Sequence, residues 1–192
     1  MKAAPTLPEG YQEIFTIDLQ KDKKTALKVN LLAVLIGVCL AVPMHFLAPI
    51  STAFGMRGGL LAYSIRFVAL LLLLTLYIVL HELVHGVAMK LCGTKKVRYG
   101  FTGLYAFAAS DDFYDRKAYI FIALAPIVLW GIVLAVVNLL VPVEWFWVIY
   151  FVQITNLSGA AGDLFVAIRF SRLPKDILVQ DYGVGMKVFS RI

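Results

Sequence analysis

Charge is what this chain has least of. Only 16% of its 192 residues are Asp, Glu, Lys or Arg, against 61% hydrophobic residues and a mean hydropathy of +0.84. That balance excludes an ordinary soluble domain. Cysteine is nearly absent: Cys39 and Cys92 make no disulfide framework and lack the spacing of a thiolate metal site, so both are read as packing residues. The first residues lack the short basic stretch of a cleaved signal peptide, because Glu9, Glu13, Asp18 and Asp22 precede the first apolar run. The first apolar helix is therefore expected to be retained. A net charge of +6 gives a nucleic-acid role no independent support, since juxtamembrane anchoring against anionic lipid accounts for it.

What is present is apolar sequence in lengths that cross a bilayer. Four spans are read: Leu31 to about Ile50, with Pro43 as a kink or an early end; Leu60 to Ala88; Ala118 to Val141, with Pro126 as a bend; and Trp145 to Ile168. The expected fold is an all-α polytopic membrane protein of about four transmembrane helices with a small cytoplasmic-side β element. Residues 1–28 are expected to form a cytoplasmic N-terminal segment, 29–170 the membrane domain and 171–192 a cytoplasmic tail. Lys21, Lys23, Lys24 and Lys28 precede the first span, and Lys90, Lys95, Lys96, Arg98, Arg116 and Lys117 lie between the second and third. Arg169, Arg172, Lys175, Lys187 and Arg191 follow the fourth. Only Arg57 and Arg66 fall on the opposite side, which predicts that both termini are cytoplasmic.

Against that apolar background, the end of the second span reads His81-Glu82-Leu83-Val84-His85. On an α-helix residues i and i+4 share a face, so two imidazoles grip one Zn2+ while the intervening Glu reaches a metal-bound water. The plain alternative is a pair of packing histidines beside an acid, but ionisable groups inside a membrane are costly and functional by default. His45, the third histidine, lies near the outer end of the first span and is not expected to share this metal. A catalytic zinc takes three protein ligands and leaves a position for water. Of the twelve Asp and Glu residues only Glu82 and Asp163 lie within the expected spans. Asp163 is thus the third ligand by elimination, and depth agrees. It is six residues from Arg169, about 9 Å of helix rise, while His85 is five residues, about 8 Å, from Lys90. A buried Asp bonded to a neighbouring helix is the bland reading.

In the fourth span Asn156, Gly159, Ala160 and Asp163 recur at i, i+3, i+4 and i+7, and the small residues from Ser158 to Gly162 favour close helix approach. Asn156 has two readings: a group that orients substrate or stabilises a developing oxyanion, or an interhelical packing bond.

The order of these features, a helix ending in His81-Glu82-Leu83-Val84-His85-Gly86, a glycine- and aromatic-rich stretch, a helix with Ala125-Pro126, and a last helix with Asn156 and Gly162-Asp163-Leu164, resembles the core of the site-2 protease class of intramembrane zinc metalloproteases. The resemblance implies zinc ligation by His81, His85 and Asp163, with Glu82 and Asn156 at the catalytic site. It departs from that class where Gly162 precedes the Asp instead of following it, where no Pro lies between Asn156 and Asp163, and where no PDZ-like insertion occurs. In those respects, and in Leu7-Pro8-Glu9-Gly10-Tyr11 and Asp181-Tyr182-Gly183, the chain is more similar to the small bacterial membrane proteins described as zincin peptidases.

Between the second and third spans, Val97, Tyr99 and Phe101 alternate with Arg98, Gly100 and Thr102, and Tyr105 and Phe107 continue beyond Gly103. This predicts a hairpin turning near Thr102-Gly103 that either holds an extended substrate by strand addition or anchors at the interface by its aromatics. Asp111, Asp112 and Asp115 read as the capped start of the third span. Phe15 to Leu19 and Val184 to Phe189 read as short strands. The expected activity is hydrolysis of peptide bonds within or near membrane segments of substrate proteins, in the bacterial cell membrane. The rival is a non-catalytic zinc-binding membrane protein, such as a regulator, transporter or stress factor. Expected partners are a membrane-protein or peptide substrate and the bilayer, and not nucleic acid; the sequence leaves the oligomeric state open. In a background without Cys39 and Cys92, Lys95→Cys and Lys175→Cys should be protected from an impermeant thiol reagent in intact cells, and Arg57→Cys should be labelled. Reversed labelling overturns the orientation.

Overall fold

The computed structural model describes residues 2–55, 58–103, 105–183 and 185–191. Arg57, counted above among the outer charges, and Val184, the first residue of the expected C-terminal strand, lie outside the described residues. In chain order the elements are β1 (Ala3–Ala4), β2 (Tyr11–Asp18), α1 (Lys23–Leu47), α2 (Ser51–Phe54), α3 (Gly59–Leu91), β3 (Arg98–Phe101), β4 (Ala106–Ala109), β5 (Phe113–Asp115), α4 (Arg116–Leu140), α5 (Val143–Ser158), α6 (Ala161–Ser171), β6 (Leu178–Asp181) and β7 (Gly185–Arg191).

Among the described residues, four helical segments are long and apolar enough to cross a membrane: Lys23–Leu47, Gly59–Leu91, Arg116–Leu140 and, counted across the join of α5 and α6, Val143–Ser171. Few of their side chains are buried, and many large apolar ones are exposed, Leu139 to 85% and Phe46 to 80%. Such surfaces need an apolar solvent, and the helix satisfies its own backbone polar groups there. Pro43 and Pro126 both lie inside their helices, so Pro43 does not end α1. The expected continuous fourth helix is interrupted. Ser158 ends α5, Gly159 is exposed although Asn156 and Ala160 are buried, and a new helix starts at Ala161. Gly159 is tight against the preceding turn, where a Cβ would lie 2.6 Å from the Thr155 carbonyl oxygen. The face counted at 3.6-residue spacing from Asn156 to Asp163 therefore does not run through.

The chain divides into two compact units. One comprises residues 1–29, 80–126 and 162–192, the other 30–79 and 127–161. In the first, the small β element expected is a sheet and a hairpin. Among the described residues five strands run in the order β1-β5-β6-β7-β2, neighbours being antiparallel, and β3 and β4 form the separate hairpin. The N-terminal strand β2 pairs along its length with the C-terminal strand β7, Tyr11 opposite Arg191 and Asp18 opposite Gly185, with an irregularity between Glu13 and Phe15. The hairpin turns where its sequence predicts, with Tyr99 opposite Ala108 and Gly103 at φ +89°. Of the three acids before α4, Asp115 caps it, accepting from the Ala118 N–H at 2.7 Å, while Asp111 pairs with Arg98 at 2.6 Å.

The core of this unit joins Met89 and Ala88 of α3, Tyr119 and Ile122 of α4, Phe170 of α6 and Val179 and Val188 of the sheet. At its centre the Tyr114 hydroxyl meets the hydroxyls of Thr94 and Ser110, each at 2.6 Å, and all three residues are buried. The second unit packs around Trp147, whose indole N–H donates to the Ala48 carbonyl at 2.6 Å. There Arg66 is 6% exposed and gives its Nε–H to the Ala53 carbonyl at the end of α2. Tyr114→Phe should lower unfolding free energy by about 1–3 kcal/mol, because two buried hydroxyls lose a shared partner. Denaturant titration measures this, and an unchanged midpoint would refute it.

Candidate metal centre

His81 and His85 sit one turn apart on the last third of α3, and the helix directs both rings to one side. Both are 8% exposed, and their Nε2 atoms lie 3.2 Å apart. The Oδ2 atom of Asp163, in the first turn of α6, is 3.4 Å from Nε2 of His81 and 3.6 Å from Nε2 of His85. Three donor atoms thus form a nearly equilateral triangle within one compact unit.

Nδ1 of His85 is 2.9 Å from the Ile122 carbonyl oxygen of α4; a carbonyl only accepts, so this nitrogen carries a proton, and in the neutral ring Nε2 then offers a lone pair. A second imidazole nitrogen and a carboxylate oxygen converge on the same point, an arrangement that a bound cation or a proton shared between His and Asp holds together. Zinc fits by size. Tetrahedral coordination with N and O ligands at 2.0–2.2 Å separates neighbouring donors by roughly 3.3–3.6 Å, which is the spacing found. Two histidines and one carboxylate also match the charge and ligand types of catalytic zinc, with a fourth position left for water or substrate.

Glu82 follows His81 on α3 and is partly buried, and the backbone N–H of Ala108 on β4 is directed at its carboxylate. The β4 strand of the hairpin therefore lies beside the acid of the signature. Tyr99 of β3 packs over Gly86, where a Cβ would fall 1.9 Å from its hydroxyl oxygen, so the glycine after His85 lets the hairpin seat on the helix. Asn156 belongs to the other unit and is fully buried. Its Oδ1 accepts from the Tyr77 hydroxyl at 2.9 Å and its Nδ2 donates to the Ile127 carbonyl at 3.1 Å. With both ends of the amide engaged inside that unit, the packing alternative gains support. His45 is also in that unit, where its Nδ1 accepts the Ile50 N–H.

Sequence reasoning missed the Ile122 carbonyl, because a backbone acceptor leaves no mark on residue identity. It also gave no role to Tyr119 or to Asp181, whose side chains meet at 2.7 Å. The purified chain should bind one zinc, and Ala at His81, His85 or Asp163 should each reduce occupancy at least tenfold by elemental analysis, since each removes a ligand. Full retention in Asp163→Ala would place the third ligand elsewhere.

Residues 73–178 match the model of a family described as "putative zincin peptidase". The chain is also similar to a protein of Pyrococcus woesei described as an uncharacterized 24.7 kDa protein in the gap 5′ region, with 31% identity over 181 residues that cover 91% of this chain and 73% of that protein. No solved structure matches the chain significantly.

Proposed function

The chain belongs to the zincin peptidase family, and from that membership and the donor triangle we propose that it is an intramembrane zinc metallopeptidase of the site-2 protease kind. The observation that carries the reading is the convergence of His81 Nε2, His85 Nε2 and Asp163 Oδ2 within 3.2–3.6 Å beside Glu82, on helices apolar enough to span a bilayer. Bound there, zinc supplies Lewis acidity to the scissile carbonyl and lowers the pKa of a water.

The rest of the chemistry falls to the chain. His81, His85 and Asp163 hold the metal, with His85 kept in one tautomer by Ile122. Glu82 takes the proton of the attacking water and returns it to the leaving amine. The hairpin strand β4, beside Glu82, offers backbone groups to an extended substrate segment; main-chain pairing there would offset the cost of unwinding a substrate helix in lipid. In the orientation given by the Lys and Arg distribution, both termini and the metal lie toward the cytoplasm, and cleavage occurs near the cytoplasmic end of the substrate span. Asn156 is assigned to the Tyr77–Ile127 bond and takes no part in proton transfer.

Glu82→Gln should keep zinc and lose hydrolysis by at least about a hundredfold, the usual scale for removing a general base. Single-span reporters with Gly or Pro near the cut should be cleaved faster than those with Leu, because weaker helices expose backbone at lower cost. Cleavage confined to soluble loops and indifferent to these residues would leave a membrane-anchored peptidase. Zinc retention with no hydrolysis of any reporter by native protein would favour the non-catalytic reading.

A further inference from the structure

Asp181 ends β6, far from the signature in sequence, yet it is tied to three other parts of the same unit. Its backbone oxygen accepts from the Ser110 N–H at 3.2 Å, in the link between β4 and β5. Its Oδ1 accepts from the Gly183 N–H at 2.8 Å, in a turn where Gly183 holds φ +102°. Any Cβ at Gly183 would lie 2.4 Å from the Phe107 ring, so the turn is seated against β4 as well. The remaining oxygen, Oδ2, accepts from the Tyr119 hydroxyl at 2.7 Å. Asp181 is fixed by the sheet and its own turn, and Tyr119 is the group that docks on it.

Tyr119 lies on α4 one turn before Ile122, about 4.5 Å along the axis. Tyr119, Ile122 and Ala123 are all 3% exposed or less, and they form the strip of α4 that faces the core. Ile122 supplies the carbonyl that fixes the His85 tautomer. Asp181 and Asp163 are close enough to act on one another electrostatically, and burial pushes the Asp181 carboxyl above its usual range while Tyr119 and Gly183 pull it down. A half-buried carboxylate held near a second carboxylate costs more than an apolar pair of similar volume filling the same space.

We infer that the Tyr119–Asp181 pair is a positioning device for the metal centre. Strand β6 locks the axial setting of α4, and α4 in turn holds the Ile122 carbonyl against Nδ1 of His85. Both residues act through His85 and touch no reacting atom. The inference rests on the zinc reading of His81, His85 and Asp163 but not on peptide hydrolysis.

The test measures zinc affinity of the full chain by chelator competition and, separately, the thermal midpoint of the metal-free protein. Tyr119→Phe should weaken zinc binding about tenfold, the scale for partners that orient a ligand, with a metal-free midpoint close to native. Asp181→Asn, which keeps one acceptor oxygen, should bind zinc more tightly than Asp181→Ala and less tightly than native; this series stands if Tyr119→Phe does not fold. Combining Tyr119→Phe with Asp181→Asn should cost little more than the worse single change. Gln180→Ala, which removes a bond from the same strand to the Asp111 carbonyl, should leave zinc affinity unchanged. Native affinity in Tyr119→Phe, an Asp181 series in any other order, or equal weakening by Gln180→Ala overturns the inference. Failure to hydrolyse peptides with this zinc series intact would sink the peptidase reading alone, whereas absence of zinc from the native protein would overturn both.

Discussion

Three polar atoms converging in an apolar environment set the terms for the rest of the first unit. Two imidazole nitrogens and a carboxylate oxygen at 3.2–3.6 Å need a cation or a shared proton between them, and lipid offers no water to screen them. Each ligand is accordingly held by something that leaves it little freedom. Helix α3 holds the two histidines in one register by the i, i+4 relation. The Ile122 carbonyl selects the tautomer of His85, and the interruption of the helix at Gly159 and Ala160 starts a fresh helix just before Asp163.

The five-stranded sheet has a comparable logic. Its strands come from both ends of the chain and from the short segment ahead of α4, so β2 and β7 close a unit whose helical parts are separated by long apolar stretches. The Lys2 N–H reaches Asp115, the Ala3 N–H reaches the Cys92 carbonyl, and Arg116 donates to the carbonyls of Ser171 and Leu173 at the end of α6. Beginnings and ends of helices are thereby fastened at the unit that holds the ligands. In a membrane the hydrophobic effect gives little drive between helices, so polar fastening of this kind outside the apolar spans is an effective way to fix ligand geometry.

The helices were legible because hydropathy over some 20 residues is a local property, and the cluster of His81, His85 and Asp163 because ionisable residues are so few that Asp163 remained after elimination. The hairpin was legible from alternation around Gly103. The interruption of the fourth span was not: Ser158 to Gly162 reads equally as a small-residue helix face, and only the crowding of Gly159 against the Thr155 carbonyl shows the irregularity. Nor was the sheet. Strands β1, β5 and β6 have two to four residues each, too few to show a period, and their pairings join residues more than a hundred positions apart, as Ala3 does with Tyr114. Asn156 shows a further limit. An amide on a helix face looks the same in sequence whether it serves chemistry or, as the Tyr77 and Ile127 bonds favour, packing.

Breaking the last span also changes what Asp163 experiences. Within an uninterrupted helix it would sit midway along the dipole, with no electrostatic help. At the first turn of α6 it lies at the positive end, while Arg169 occupies the last turn at the negative end, and each placement is favourable by roughly 0.3–1 kcal/mol, more where burial is partial. Eleven residues of α6 span about 16 Å, half of a hydrocarbon core, with Asp163 in the first turn and Arg169 in the last. The interruption therefore accomplishes two things at once: it sets the carboxylate at the end of a helix dipole that favours an anion, and it frees the turn that bears Asp163 from the register of the apolar helix that precedes it.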